Sequence, residues 1–314
     1  SFNRAAWINL SNRVMAPAGF QGQGAITLFD KLIQAARLND SGAYPYLRSH
    51  PMSTERMADM AGRAQQLTAA ETSTPPDLVH AMMVGRARAL TDLSPDAQRK
   101  LMQNARLQTP ATAKVETTRV GALYAGVVAH MTARQFSEAE QLLWVLRGAL
   151  KGKTPELDQV TWLAAELNMR QGKPLDALQT LDNISFTGST TRAQRMLKAQ
   201  AMVESQQPEL ARQAVALLES WLSQHPRDGH AWDLTGQGLG LMQEPLRSLR
   251  AQAEARAVRF DLVAAIDRLL AAQDLARQLV AQGKLGRAQE IDASIIDTRL
   301  RQLRQLRREQ TLQR

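Results

Sequence analysis

The chain has 314 residues and 34.7 kDa, with 44% apolar side chains, 4% aromatic ones and no cysteine. That length admits two or three ordinary domains or one extended solenoid. The lack of cysteine excludes disulfides, thiol catalysis and cysteine-bound zinc, and suits cytoplasm or periplasm alike. The net charge of +9 attracts nucleic acid, anionic lipid or acidic protein without choosing among them. No stretch approaches the roughly 18–20 apolar residues that span a bilayer; the most apolar run, Val120 to Met131, is short and rich in small residues. Alanine, leucine, glutamine and arginine dominate, which favours helix over sheet.

Residues 1–16 read as a helix with Phe2, Trp7, Leu10 and Val14 on one loose stripe, broken by Pro17-Ala18-Gly19-Phe20. The chain opens on Ser1 without an initiator methionine and enters this pattern at once, which reads as a mature or excised chain. A second helix follows with Ile26, Leu28, Phe29, Leu32, Ile33 and Ala36 on its buried face. The glycines before it are not a phosphate loop, because no strand precedes them and their order is wrong. Asn39 to Met52 is a polar loop carrying His50-Pro51, and Ser53 caps a short helix to about Leu67. Residues 69–76 (AAETSTPP) form a linker between residues 1–68 and an array at 77–314. Helices are expected at 77–92 and 94–106, the second capped by Ser94 with Pro95 in its first turn.

From Val115 onward the pattern repeats. Ser137-Glu138-Ala139-Glu140 reads as a capping box opening the second helix of a pair, and Thr154-Pro155-Glu156 opens the next pair. Turns fall at 134–136, 172–174, 207–209 and 243–245. After each comes a small residue suited to a close helix crossing: Ala139, Ala177, Ala214 and Ser248, spaced by 38, 37 and 34 residues. In the last unit Trp232, Gly236 and Leu239 share one helical stripe after Pro226. This stretch resembles the W-x2-L-G-x2-Y signature of the tetratricopeptide (TPR) repeat, whose period is about 34 residues. A long helix at Asp261 to Gln282 ends at Gly283, and a last helix runs from Leu285 to about Gln310. Its apolar side carries Ile291, Ile295, Ile296, Leu300, Leu303 and Leu306; Arg299, Arg301, Arg304, Arg307 and Arg308 occupy the other, as a solenoid cap requires.

The first helices of TPR pairs line a concave face. Here that face holds Tyr124, Val128, Met131, Trp162, Glu166, Met169, Arg170, Val203, Asp233 and Gln237 as a candidate protein-binding groove. Trp162 and the methionines serve equally well as inter-repeat core, since grooves and cores use the same residue types. His225, Asp228 and His230 bracket an inter-repeat turn; they have metal-ligand chemistry, but an ordinary turn explains them better. The chain contains no His-Glu-x-x-His and no Ser/His/Asp set around a recognisable nucleophile. The Arg-rich end reads as a solvated helix face, with a contact to lipid or RNA phosphate as the alternative.

Two stretches together resemble one family. Val14-Met15-Ala16-Pro17-Ala18-Gly19-Phe20, then Leu28-Phe29-Asp30-Lys31-Leu32, then Ser49-His50-Pro51 with Arg56 and Ala58-Asp59, looks like the last part of an HtpX-like zinc metallopeptidase domain. Ala231-Trp232-Asp233-Leu234, Arg250-Ala251-Gln252-Ala253-Glu254 and Gly283-Lys284-Leu285 through Leu306 look like the carboxy-terminal TPR part of BepA (YfgC)-type proteins. The resemblance is patchy between about 70 and 220. It implies an all-α fold: a small helical remnant of a metallopeptidase domain, then a TPR-like solenoid with capping helices. It implies a periplasmic setting in a Gram-negative bacterium, a role in outer-membrane protein assembly and quality control, and zinc in a full-length member. The partners it implies are unfolded or assembling outer-membrane proteins and their assembly machinery. Peripheral membrane contact fits the basic end, and nucleic acid is not an expected partner.

No zinc ligand carries over. The family's Glu-x-x-Ala-Asp helix falls at Arg4 to Ile8, where its ligand is missing, and only His50 keeps a place near the family's zinc cleft. The expectation is therefore a protein-binding scaffold without catalytic residues or a cofactor of its own. Two alternatives remain: an active zinc endopeptidase whose catalytic motif lies outside this sequence, and a basic cytoplasmic TPR adaptor.

Overall fold

The computed structural model describes residues 77–109, 116–150, 154–182 and 191–312, which belong to one compact unit, Pro76–Arg314. The expected helices before residue 68, the His50 loop and the 69–76 linker lie outside the described residues. Among the described residues the protein is all helical, with twelve helices and no strand. They are α1 (Leu78–Thr91), α2 (Pro95–Leu107), α3 (Glu116–Thr132), α4 (Phe136–Ala149), α5 (Thr154–Arg170) and α6 (Pro174–Asp182), followed by α7 (Arg192–Glu204), α8 (Pro208–Gln224), α9 (Gly229–Leu241), α10 (Pro245–Val258), α11 (Leu262–Ala281) and α12 (Arg287–Leu312). From α3 on they pair as hairpins, α3/α4, α5/α6, α7/α8, α9/α10 and α11/α12, and α5, α7 and α9 lie side by side.

Each hairpin turns through one residue in the left-handed region: Arg134 (φ 59°), Gly172 (φ 74°), Gln206 (φ 58°), Gln243 (φ 60°) and Gly283 (φ 65°). The backbone folds back so that Gln135 N donates to His130 O (2.9 Å), Lys173 N to Asn168 O (2.9 Å) and Glu244 N to Leu239 O (3.0 Å). These bonds satisfy carbonyls that the helix end would otherwise leave open. The turn is so tight that α4 already starts at Phe136, with Gln135 as its cap and no side-chain cap bond. The capping box expected at Ser137 is therefore absent; the helix is under way before it.

The small residues sit where the helices cross. Ala139, Ala177 and Ala214 are completely buried, and the buried Ser248 donates its hydroxyl to Gly236 O at 2.7 Å. A Cβ on Gly236 would come within 3.3 Å of Ser248 O, and one on Gly238 within 2.8 Å of the Val215 side chain, so α9 lies tight against both α10 and α8. Around these crossings pack fully buried leucines, Leu146, Leu163, Leu181 and Leu218 among them. Each contributes about 1.5–3 kcal/mol of apolar burial.

The front of the array is built differently. α1 and α2 barely touch each other; both pack on α3, which is buried on every side from Ala122 to Met131. Glycine makes this room: a Cβ on Gly85 of α1 would stand 2.3 Å from Gly121 O, and one on Gly126 would stand 2.3 Å from Ala105 of α2. The buried Gln98 donates to Ala89 O (2.9 Å) and Asp92 O (2.6 Å), closing the end of α1. At the other end, α12 buries Ile296, Leu300 and Leu303, but Ile291, Ile295 and Leu306 are exposed. The buried stripe is narrower than the sequence suggests because α12 is covered only by α11 and, more lightly, α10 on one side. Arg299 also leaves the expected solvent face: it forms a bidentate pair with Glu254 of α10 (2.8 and 2.7 Å).

Candidate protein-binding surface

The ten residues expected on the first-helix face divide by burial. Tyr124, Val128 and Met131 on α3, Trp162 on α5 and Val203 on α7 are buried, Trp162 at 7% exposure and Val203 at 2%. They are core, because each first helix is covered by its hairpin partner and by neighbouring helices. Glu166, Met169 and Asp233 are half-buried, and Arg170 and Gln237 are exposed. On α7, the half-buried Gln200 donates to the exposed Glu204 at 2.7 Å. The sequence reading passed over both, although their i, i+4 spacing places them on one face of α7.

Two of these acids, Glu166 and Asp233, are already engaged by arginines. Glu166 takes both Nη atoms of Arg86 (2.8 and 2.9 Å), joining α5 to α1 across eighty positions of sequence. Tyr124 is buried beside this pair, and burial pushes its phenol up to about 12. Asp233 pairs with Arg259 after α10. Arg86 gives no local signal in the sequence, since only the fold brings α1 against α5.

A second constellation forms where α7, α8 and α9 meet. Asp228 caps α9, accepting from the backbone N–H of His230 (3.2 Å) and Ala231 (3.3 Å). Its oxygens also take Arg192 Nε and Nη2 (2.7 and 2.8 Å) and Trp221 Nε1 (2.9 Å). Arg192, first, and the Trp221 and Ala231 N–H groups hold the carboxyl far below the usual carboxylate range, against the opposing effect of burial. His225 stacks on Trp221 at 3.6 Å, and the Arg195 guanidinium lies 5.2 Å from the Trp221 ring centroid. Every lone-pair direction of Asp228 that faces the turn is therefore occupied by a donor, which leaves none for a metal between His225 and His230. Among the described residues no three His, Asp or Glu side chains converge as a metal site.

Between α8, α9 and α10 lies a shallow groove of about 250 Å³, lined by Glu219, Trp232, Leu239, Arg247 and Arg250. Trp232 spans its edge with Nε1 bonded to Pro226 O (2.9 Å), and Arg247 bridges Glu219 (2.6 Å) and Glu244. None of the described helices is long and apolar enough to cross a membrane.

Among the described residues the geometry defines an all-helical hairpin array whose first helices α5, α7 and α9 lie side by side. No protein-family model matches the chain. By sequence it is similar to the beta-barrel assembly-enhancing protease of Yersinia pestis, with 26% identity over 297 residues. The match covers 94% of this chain and 55% of the relative, so the chain spans about half the relative's length. This is the BepA-type similarity that the residue pattern implies.

Proposed function

We propose that this chain is the partner- and substrate-docking array of a BepA-type periplasmic protein that serves outer-membrane protein assembly. The hairpins act as TPR-like units, and the row of Arg170, Gln200, Glu204 and Gln237 on α5, α7 and α9 is the docking face. The single observation that carries this reading is the similarity over 94% of the chain to a protease named for beta-barrel assembly. Exposed polar side chains on adjacent first helices, Arg170, Glu204 and Gln237, are consistent with this face. In this reading zinc and peptide hydrolysis belong to residues of a longer protein other than those described.

The test is direct binding of the purified chain to an outer-membrane β-barrel polypeptide diluted from urea. The same polypeptide folded in detergent is the comparison. Saturable binding to the unfolded form is expected, weakened at least several-fold by Arg170→Ala with Gln237→Ala. Equal binding by that double variant, with its melting temperature unchanged, overturns the assignment of the face.

A further inference from the structure

The end of α12 forms a surface separate from the docking row. No acidic residue stands between Asp297 and Glu309, whereas Arg299, Arg301, Arg304, Arg307 and Arg308 do. Arg299 is taken by Glu254. Arg301 has only the Thr298 hydroxyl at 3.3 Å, and Arg301, Arg304 and Arg308 have no acidic partner among the described residues. Their offsets of three and four put these three on one helical face. Residues 304–310 are all exposed, so the helix runs on past its last buried side chain, Leu303. Ile291, Ile295 and Leu306, at 58%, 38% and 45% exposure, form a second stripe. At 100° per residue the two stripes flank the exposed side of α12, opposite the buried line of Ile296, Leu300 and Leu303.

We infer that this side of α12 is a peripheral contact for an anionic phospholipid surface. Arginines meet lipid phosphates while isoleucine and leucine side chains enter the headgroup boundary, the arrangement that holds an amphipathic helix in the interface plane. The guanidinium fork suits phosphate, and its weak hydration favours the contact. Nucleic acid would use the same charges, but the helix carries no aromatic side chain to stack on bases, and exposed isoleucines gain nothing there. The inference stands whether or not the α5–α7–α9 row binds protein.

The experiment is sedimentation of the full 314-residue chain with vesicles of phosphatidylcholine alone and of phosphatidylcholine with phosphatidylglycerol. Binding is expected only to the mixed vesicles, falling steeply with salt. Replacing Arg301, Arg304 and Arg308 together by Gln lowers the partition coefficient about a hundredfold. A control triple, Arg99→Gln, Arg147→Gln and Arg212→Gln, removes the same charge from exposed positions on α2, α4 and α8 and leaves binding within about threefold. Ile291→Ser with Ile295→Ser weakens binding several-fold without changing its salt dependence. Equal loss in the two triples, no binding to mixed vesicles, or tighter binding to a single-stranded oligonucleotide than to vesicles at equal phosphate overturns the proposal.

Discussion

Replacing Asp228 by alanine removes three interactions at once. Its side chain is only 7% exposed and holds the start of α9, the ring of Trp221 and the head of Arg192 together. Loss of the helix cap costs about 1 kcal/mol. The half-buried indole N–H of Trp221 loses its acceptor, another ~1 kcal/mol. The Arg192 side chain is 54% exposed, so its pair adds only about 0.5 kcal/mol after screening by solvent. Asp228→Ala should therefore destabilise by about 2–3 kcal/mol, a fall of about 4–12 °C in melting temperature. Because the folded carboxyl sits below its ordinary value, this stabilisation is complete above the unfolded pKa near 4 and fades as pH drops further. Denaturant unfolding followed by tryptophan fluorescence at pH 7 and pH 3 measures both. The gap between parent and variant should be widest at pH 7 and narrower at pH 3. A difference under about 0.5 kcal/mol at pH 7, or a gap that widens in acid, would refute the reasoning.

Gly85→Ala should destabilise by about 2–3 kcal/mol or more, because the added methyl meets backbone rather than a movable side chain. Gly148→Ala on α4, where the new methyl meets nothing within 4 Å, should stabilise by about 0.5–1 kcal/mol. Thermal unfolding separates the two; the same sign in both contradicts the crossing geometry. Phe260→Gly, at φ 61° and 80% exposed between α10 and α11, should gain about 1 kcal/mol by relieving left-handed strain while losing little packing. A lower melting point would show that the ring has a partner after all. Trp162→Ala should cost about 3–5 kcal/mol as a core truncation, and a loss under 1 kcal/mol would return Trp162 to the surface.

The hairpin turns were legible because their chemistry is local. Gly172, and the Pro174, Pro208 and Pro245 that open the second helices, mark where a helix must stop and restart. The crossing residues were legible because only a small side chain fits, and Ala139, Ala177, Ala214 and Ser248 are buried as that demands. What the sequence could not separate was groove from core. Tyr124, Val128, Met131, Trp162 and Val203 have the stripe spacing of either, and only the helices packed from outside decide. The Arg86–Glu166 pair was hidden for the same reason, since the placement of α1 on α3 and α5 depends on close approach at Gly85 and Gly121 and leaves no periodic trace. The exposed Ile291 and Ile295 misled in the opposite way. An apolar stripe predicts burial only where a second helix is present to cover it.

The most direct test of the account is amide hydrogen exchange on the chain with and without an unfolded outer-membrane β-barrel polypeptide. The account predicts added protection centred on α5, α7 and α9, with the outer helices α4, α6 and α8 unchanged. Protection confined to the outer helices, or none at saturating polypeptide, would contradict it.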